Sequence, residues 1–112
     1  MATHDLKLAT EPFSAIVAGK KIIESRLYDD KRKKIELGDT IIFTNRENPS
    51  QTVNVQVVGL LRYKTFKDLF SNNEPTKFGG PDKEWLLSQI HEFFSEEDER
   101  VDGVIGIQFK LV

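Results

Sequence analysis

The sequence contains no cysteine. That excludes disulfide bonds, a thiol nucleophile and any zinc site built on thiolates. Its apolar runs are only a few residues long, far short of the roughly 20 that a membrane-spanning helix needs. The opening MATHDLKLAT lacks the basic start and apolar stretch of a secretory signal. A cytoplasmic location without membrane contacts is therefore expected. The two histidines, His4 and His91, stand far apart and in no metal-ligand spacing, so no metal is expected, nor any other cofactor. Gly79-Gly80 lacks the surrounding pattern of a phosphate loop, and no serine sits in a nucleophile elbow. An excess of positive charge is also missing: 16 Lys and Arg face 18 Asp and Glu, for a net charge of −2. This argues against indiscriminate binding to duplex DNA, which requires many neutralised phosphates.

What is present describes one domain spanning residues 1–112, a monomer by default. With 112 residues, 38% hydrophobic and 30% charged, the chain is long enough for a core of its own and has no repeat or linker to divide it. The charge is uneven. Residues 1–66 carry 11 basic and 8 acidic side chains, whereas residues 67–112 carry 5 and 10. A basic face on the first half is compatible with this, while Glu96–Glu99 reads as a solvated acidic surface that repels nucleic acid.

Alternation of apolar residues predicts strands at Asp5–Ala9, Lys21–Tyr28, Thr40–Thr44, Thr52–Tyr63 and Gly103–Val112. Gly59 inside the fourth predicts a bend or bulge. Thr10-Glu11-Pro12 predicts a helix start with Thr10 as N-cap, and Gly19 the stop after about two turns. Asp29-Asp30 caps a single turn through KRKK, read as a solvated turn with local ion pairs or, alternatively, a phosphate-contacting rim. A short helix is expected at Thr65–Phe70 and the best helix at Pro81–Phe94, with His91 half-buried on it. Short strands without regular long crossovers point to an α+β fold. It is a small, mostly antiparallel β-barrel with two or three flanking helices.

The most informative stretch is GKKIIESRLY. Glu24 and Arg26 share a strand face, one pleat apart; Lys21 has the opposite parity and joins them only if the chain is irregular as it approaches the strand. The plain alternative is a surface strand with an ordinary, weak ion pair.

Gly19-x-Lys21-x-x-Glu24-x-Arg26, followed by Gly38-Asp39-x-Ile41-x-Phe43 and a closing Gly103-Val104-Ile105-Gly106-Ile107-x-Phe109, resembles the ASCH (activating signal cointegrator homology) family of PUA-like barrels. The resemblance implies a cleft between barrel and helices that binds RNA or a nucleotide and is lined by Lys21, Glu24 and Arg26. It also implies an alternative, since some members are amidohydrolases that deacetylate acetylcytidine. Those have Thr as nucleophile at the position of Glu24 and a further Glu in the loop that here contains Glu74. In an enzyme, Lys21 and Glu24 would be catalytic, with Glu24 activating water and Lys21 and Arg26 holding the oxyanion. In a binding protein, Tyr28, Tyr63 and Phe78 are candidates to stack on a base. A third reading is a protein-interaction module using the helix that carries Trp85.

Overall fold

Strand-forming residues in the first half and at the end of the chain assemble into a single five-stranded sheet. The computed structural model describes residues 1–112. The strands are β1 (Thr3–Leu8), β2 (Ile23–Leu27), β3 (Thr40–Asn45), β4 (Thr52–Tyr63) and β5 (Val104–Leu111). Their order is β1-β3-β4-β5-β2. Only β1 and β3 run parallel; the other three pairings are antiparallel. The sheet curls into a half-barrel of the PUA-like, α+β kind, with β1 and β2 as its edges.

The register shows which residues face the hollow. Ile41 and Phe43 on β3 face the same way as Val55 and Val57 on β4, Ile105, Ile107 and Phe109 on β5, and Leu6 and Leu8 on β1. Phe13 and Ile16 of α1 (Thr10–Val17) close over them and complete the larger core. Phe43 is fully buried and its ring centroid lies 5.4 Å from that of Phe109. The opposite face carries Ile23, Leu27 and Val104, covered by α3 (Phe66–Ser71), a 3₁₀ turn (Pro75–Phe78) and α4 (Lys83–Ile90). Phe66 stacks between Phe70 and Phe94, and Phe70 meets the edge of Phe78. Two further helices, α2 (Asp30–Lys33) and α5 (Glu96–Asp102), bring the helices to five, where the pattern predicted two or three.

Gly59 is the bulge. The β4–β5 register shifts between Val57 and Gly59, so inward-facing positions change from odd to even numbers. Leu60 and Arg62 therefore face the same side as Val55 and Val57. The close approach of β5 explains the glycine, because a Cβ there would lie 2.9 Å from Gln108 Oε1.

Three local boundaries differ from expectation. Thr10 does not cap α1; Ala9 is the N-cap, and the Thr10 hydroxyl donates to Asn45 and Glu47. The predicted 81–94 helix is only Lys83–Ile90: the Asp82 carboxylate accepts from the Trp85 amide as N-cap, so the helix starts two residues past Pro81. Ser95 then opens α5 with a reciprocal capping box to Asp98, so the acidic stretch is a helix in its own right. Between them His91 is exposed, not half-buried, with Nε2 3.1 Å from Glu99.

Replacing Phe43 by Ala removes a fully buried ring from the centre of the larger core. The expected loss is about 3–5 kcal/mol, measured as a lower urea midpoint with an unchanged slope.

Candidate functional site

Gly19, in a left-handed conformation at φ 76°, ends α1 and turns the chain back. The amides of Lys20 and Lys21 both donate to the Ala15 carbonyl, so neither residue has yet entered the sheet. The Ile22 amide donates to the Lys77 carbonyl and docks the chain on the 3₁₀ turn. Regular pairing starts only at Ile23. This irregular approach frees Lys21 from strand parity.

Lys21, Glu24 and Arg26 consequently meet. Lys21 Nζ lies 3.0 Å from Glu24 Oε1 and donates to the Phe78 carbonyl at 3.1 Å. Arg26 Nε donates to Glu24 Oε2 at 2.7 Å, and its Nη2 donates to the Lys7 carbonyl at 2.9 Å. Lys7 lies on β1 and Arg26 on β2, so the guanidinium bridges the two edges of the half-barrel. Gly79 covers the Lys21 stem at φ 86°, and a Cβ there would sit 3.3 Å from Lys21 Cβ. Both the backbone angle and the contact call for glycine.

Glu24 is 5% exposed and Lys21 8%. Burial by itself raises the Glu24 pKa. The charges of Lys21 and Arg26, with their hydrogen bonds, outweigh it and hold the carboxyl below its ordinary value. The triad is thus a carboxylate between two cations, with one net positive charge. Lys21 has one N–H still to donate, and Arg26 has three.

More positive charge lies alongside. Arg32 pairs with Asp29 at 2.9 Å, while its buried Nε has no hydrogen-bond partner. Burial, then repulsion from Arg26, pushes the Arg32 pKa down. Its helix, α2, is a single turn capped by the Asp29 carboxylate.

The other candidates lie apart from the triad. Tyr28 is half-buried beneath Arg62, whose Cζ lies 4.1 Å from the ring centroid. Tyr28 and Tyr63 line a cavity of about 360 Å³ at the far end of β2. Phe78 corrects an expectation: its ring is 3% exposed and packed against Phe70, so it does not stack on a ligand. It contributes a carbonyl to Lys21 instead. Glu74 is exposed just before the 3₁₀ turn and bonds no member of the triad. No group of three His, Asp or Glu could hold a metal ion, and no helix is long and apolar enough to cross a membrane.

Arg32 belongs to the KRKK turn, where a local ion pair is one expectation, and Arg62 is the cation that sequence reasoning missed. Arg62 was traceable in principle, since the bulge anticipated at Gly59 reverses the parity of everything after it.

A family model described as ASCH domain matches residues 6–112. The crystal structure of the hypothetical protein PH0355 is 32% identical, covers 98% of this chain and 99% of its own, and gives a TM-score of 0.87. The solution structure of PF0455 from Pyrococcus furiosus is 28% identical over 98% of this chain and 97% of its own, with a TM-score of 0.76. An ASCH domain from Lactobacillus crispatus JV V101 is 15% identical, covers 98% and 79% and has a TM-score of 0.64, a likeness of fold alone. No curated protein shows significant similarity.

Glu24→Gln leaves the buried Lys21 and the half-buried Arg26 without their counter-charge and is expected to cost about 3 kcal/mol at neutral pH. The depressed carboxyl stabilises the fold above its ordinary pKa of 4.5, and that contribution is lost as pH falls through the lower folded value. Urea unfolding below about pH 4.5 should therefore show a shallower acid loss in the variant. Replacing all three residues together (Lys21→Met, Glu24→Leu, Arg26→Met) is expected to restore much of the stability lost by Glu24→Gln.

Proposed function

Since the chain belongs to the ASCH domain family, we propose that it binds RNA or a nucleotide through the site formed by Lys21, Glu24 and Arg26. One observation carries this reading: a buried carboxylate holds two cations in place while both keep N–H donors to spare. Such donors suit phosphate or carbonyl oxygens, and Arg32 adds to the positive field. Tyr28 and Tyr63 are aromatic rings at a separate cavity, at the far end of β2.

An amidohydrolase acting on acetylcytidine or a related acylated nucleoside is the weaker reading. Position 24 carries no hydroxyl nucleophile. A carboxyl held below its ordinary pKa is a poor proton acceptor at neutral pH. Glu74, the other carboxylate of that scheme, is exposed and unengaged. A protein-interaction role for Trp85 has less behind it, because part of the ring lies against Gly80, where a Cβ would come within 2.8 Å of it.

NMR shift mapping with nucleosides, nucleotides and short oligoribonucleotides tests the proposal. Shifts are expected at Lys21, Glu24, Arg26 and Gly79. Engagement of two phosphates gives a slope of about −1.4 in log K against log salt. Lys21→Met should abolish binding while the amide spectrum stays folded. Acetylcytidine turnover that Lys21→Met removes, without oligonucleotide binding, would transfer the site to the hydrolase class. No shift with any of these compounds would refute the proposal.

A further inference from the structure

The 360 Å³ cavity at the other end of β2 has the lining of a nucleotide subsite. After the Gly59 bulge, Arg62 on β4 lies opposite Ile105 on β5, and Ile105 lies opposite Arg26 on β2. The two arginines thus face the same side, one strand either side of Ile105. Arg62 rests on the Tyr28 ring with Cζ 4.1 Å from the centroid, and Lys33 Nζ lies 5.6 Å from the same ring. Arg62 is nevertheless exposed, so the side chain that meets the tyrosine ring is also accessible to solvent. A planar cation fixed in this way is a ready platform for a base.

The rest of the lining supplies what a nucleotide needs besides stacking. Lys64 brings a cation and also lines the adjoining, larger groove together with Lys67. Gly103 leaves bare backbone at φ 68°. Asp102, the last residue of α5, places a carboxylate at the cavity wall. It is not paired with Arg62 or Lys64, and a negative charge at a helix C-terminus is opposed by the helix dipole. Asp102 is therefore poorly explained by folding alone. As an acceptor it matches the exocyclic amino group of a base.

We infer that the Tyr28–Arg62 stack forms a second nucleotide subsite. One base of a single-stranded RNA lies on the Arg62 guanidinium, its amino group donates to Asp102, and Lys64 neutralises a flanking phosphate. This rests on the RNA-binding reading of the Lys21–Glu24–Arg26 site and extends it by one nucleotide. The subsite favours amino-bearing bases such as cytosine over uracil.

Titration calorimetry with CMP, tetracytidylate and tetrauridylate separates the two sites. Tetracytidylate is expected to bind more tightly than CMP. Arg62→Ala should weaken tetracytidylate about ten- to hundredfold and change CMP binding less than twofold. Arg62→Lys, which keeps the charge and loses the plane, should recover less than half of that loss on a logarithmic scale. Asp102→Ala should bring tetracytidylate down to the tetrauridylate affinity. The Arg62 Nε–H resonance should move upfield when tetracytidylate is added, from the ring current of the stacked base. Equal binding of CMP and tetracytidylate, with Arg62→Ala neutral, would overturn the second subsite and leave the first intact. No binding of CMP or either tetranucleotide would overturn both.

Discussion

One buried carboxylate couples the parts of this fold that matter most. Glu24 grips Lys21, which is tied to the 3₁₀ turn through the Phe78 carbonyl, and Arg26, which is tied to β1 through the Lys7 carbonyl. Through two cations it links the helical layer to the far edge of the sheet. β1 and β2 are not hydrogen-bonded neighbours, so the half-barrel has a seam, and Arg26 spans it with a side chain. The Lys7 carbonyl on that edge gains a donor that no strand supplies. A buried charge is tolerable only while its partners stay in place, so the geometry of the cations is as constrained as that of the core.

Much of this was legible in the sequence because β-structure writes its period into the residues. Ile41 and Phe43, or Ile105, Ile107 and Phe109, alternate cleanly and all face the larger core. Glu24 and Arg26 share a face for the same reason. Lys21 could not be placed by period, since its position depends on a helix stop and on the hydrogen bond that the next residue, Ile22, donates from its amide to the Lys77 carbonyl, 55 residues further along the chain. Phe78 misled for a related reason. In a polar loop an aromatic ring reads as available, yet tertiary packing against Phe70 claims it and leaves only its carbonyl to the site. Helix ends failed where capping competed: the Asp82 side chain sets the start of α4 after Pro81, and Ser95 opens a separate helix in the acidic stretch beyond Phe94.

The charge asymmetry between the halves of the chain has a structural counterpart. Lys21, Arg26, Arg32 and Arg62 come from the first 66 residues and gather around the rim of the curled sheet, while Glu96, Glu97 and Asp98 open α5 on the acidic half. Acidic residues at a helix N-terminus are favoured by the dipole, so this part of the acidic stretch is accounted for by folding. Arg32 has no such account: it is half-buried, with a buried, unpaired Nε and another arginine beside it, an arrangement that stability alone disfavours.

The identity of residue 24 decides what kind of site this is. A threonine between a lysine and an arginine would leave the lysine without a local counter-charge, which favours its neutral form and makes it a base toward the hydroxyl. A glutamate does the reverse. It supplies no nucleophile and spends both of its oxygens on Lys21 and Arg26. The same backbone and the same flanking residues then hold charge still instead of moving a proton. On the proposed reading, an ionised carboxylate that holds two cations in place suits the grip of an anion. On that reading, further specificity comes from the separate shelf where Arg62 lies over Tyr28.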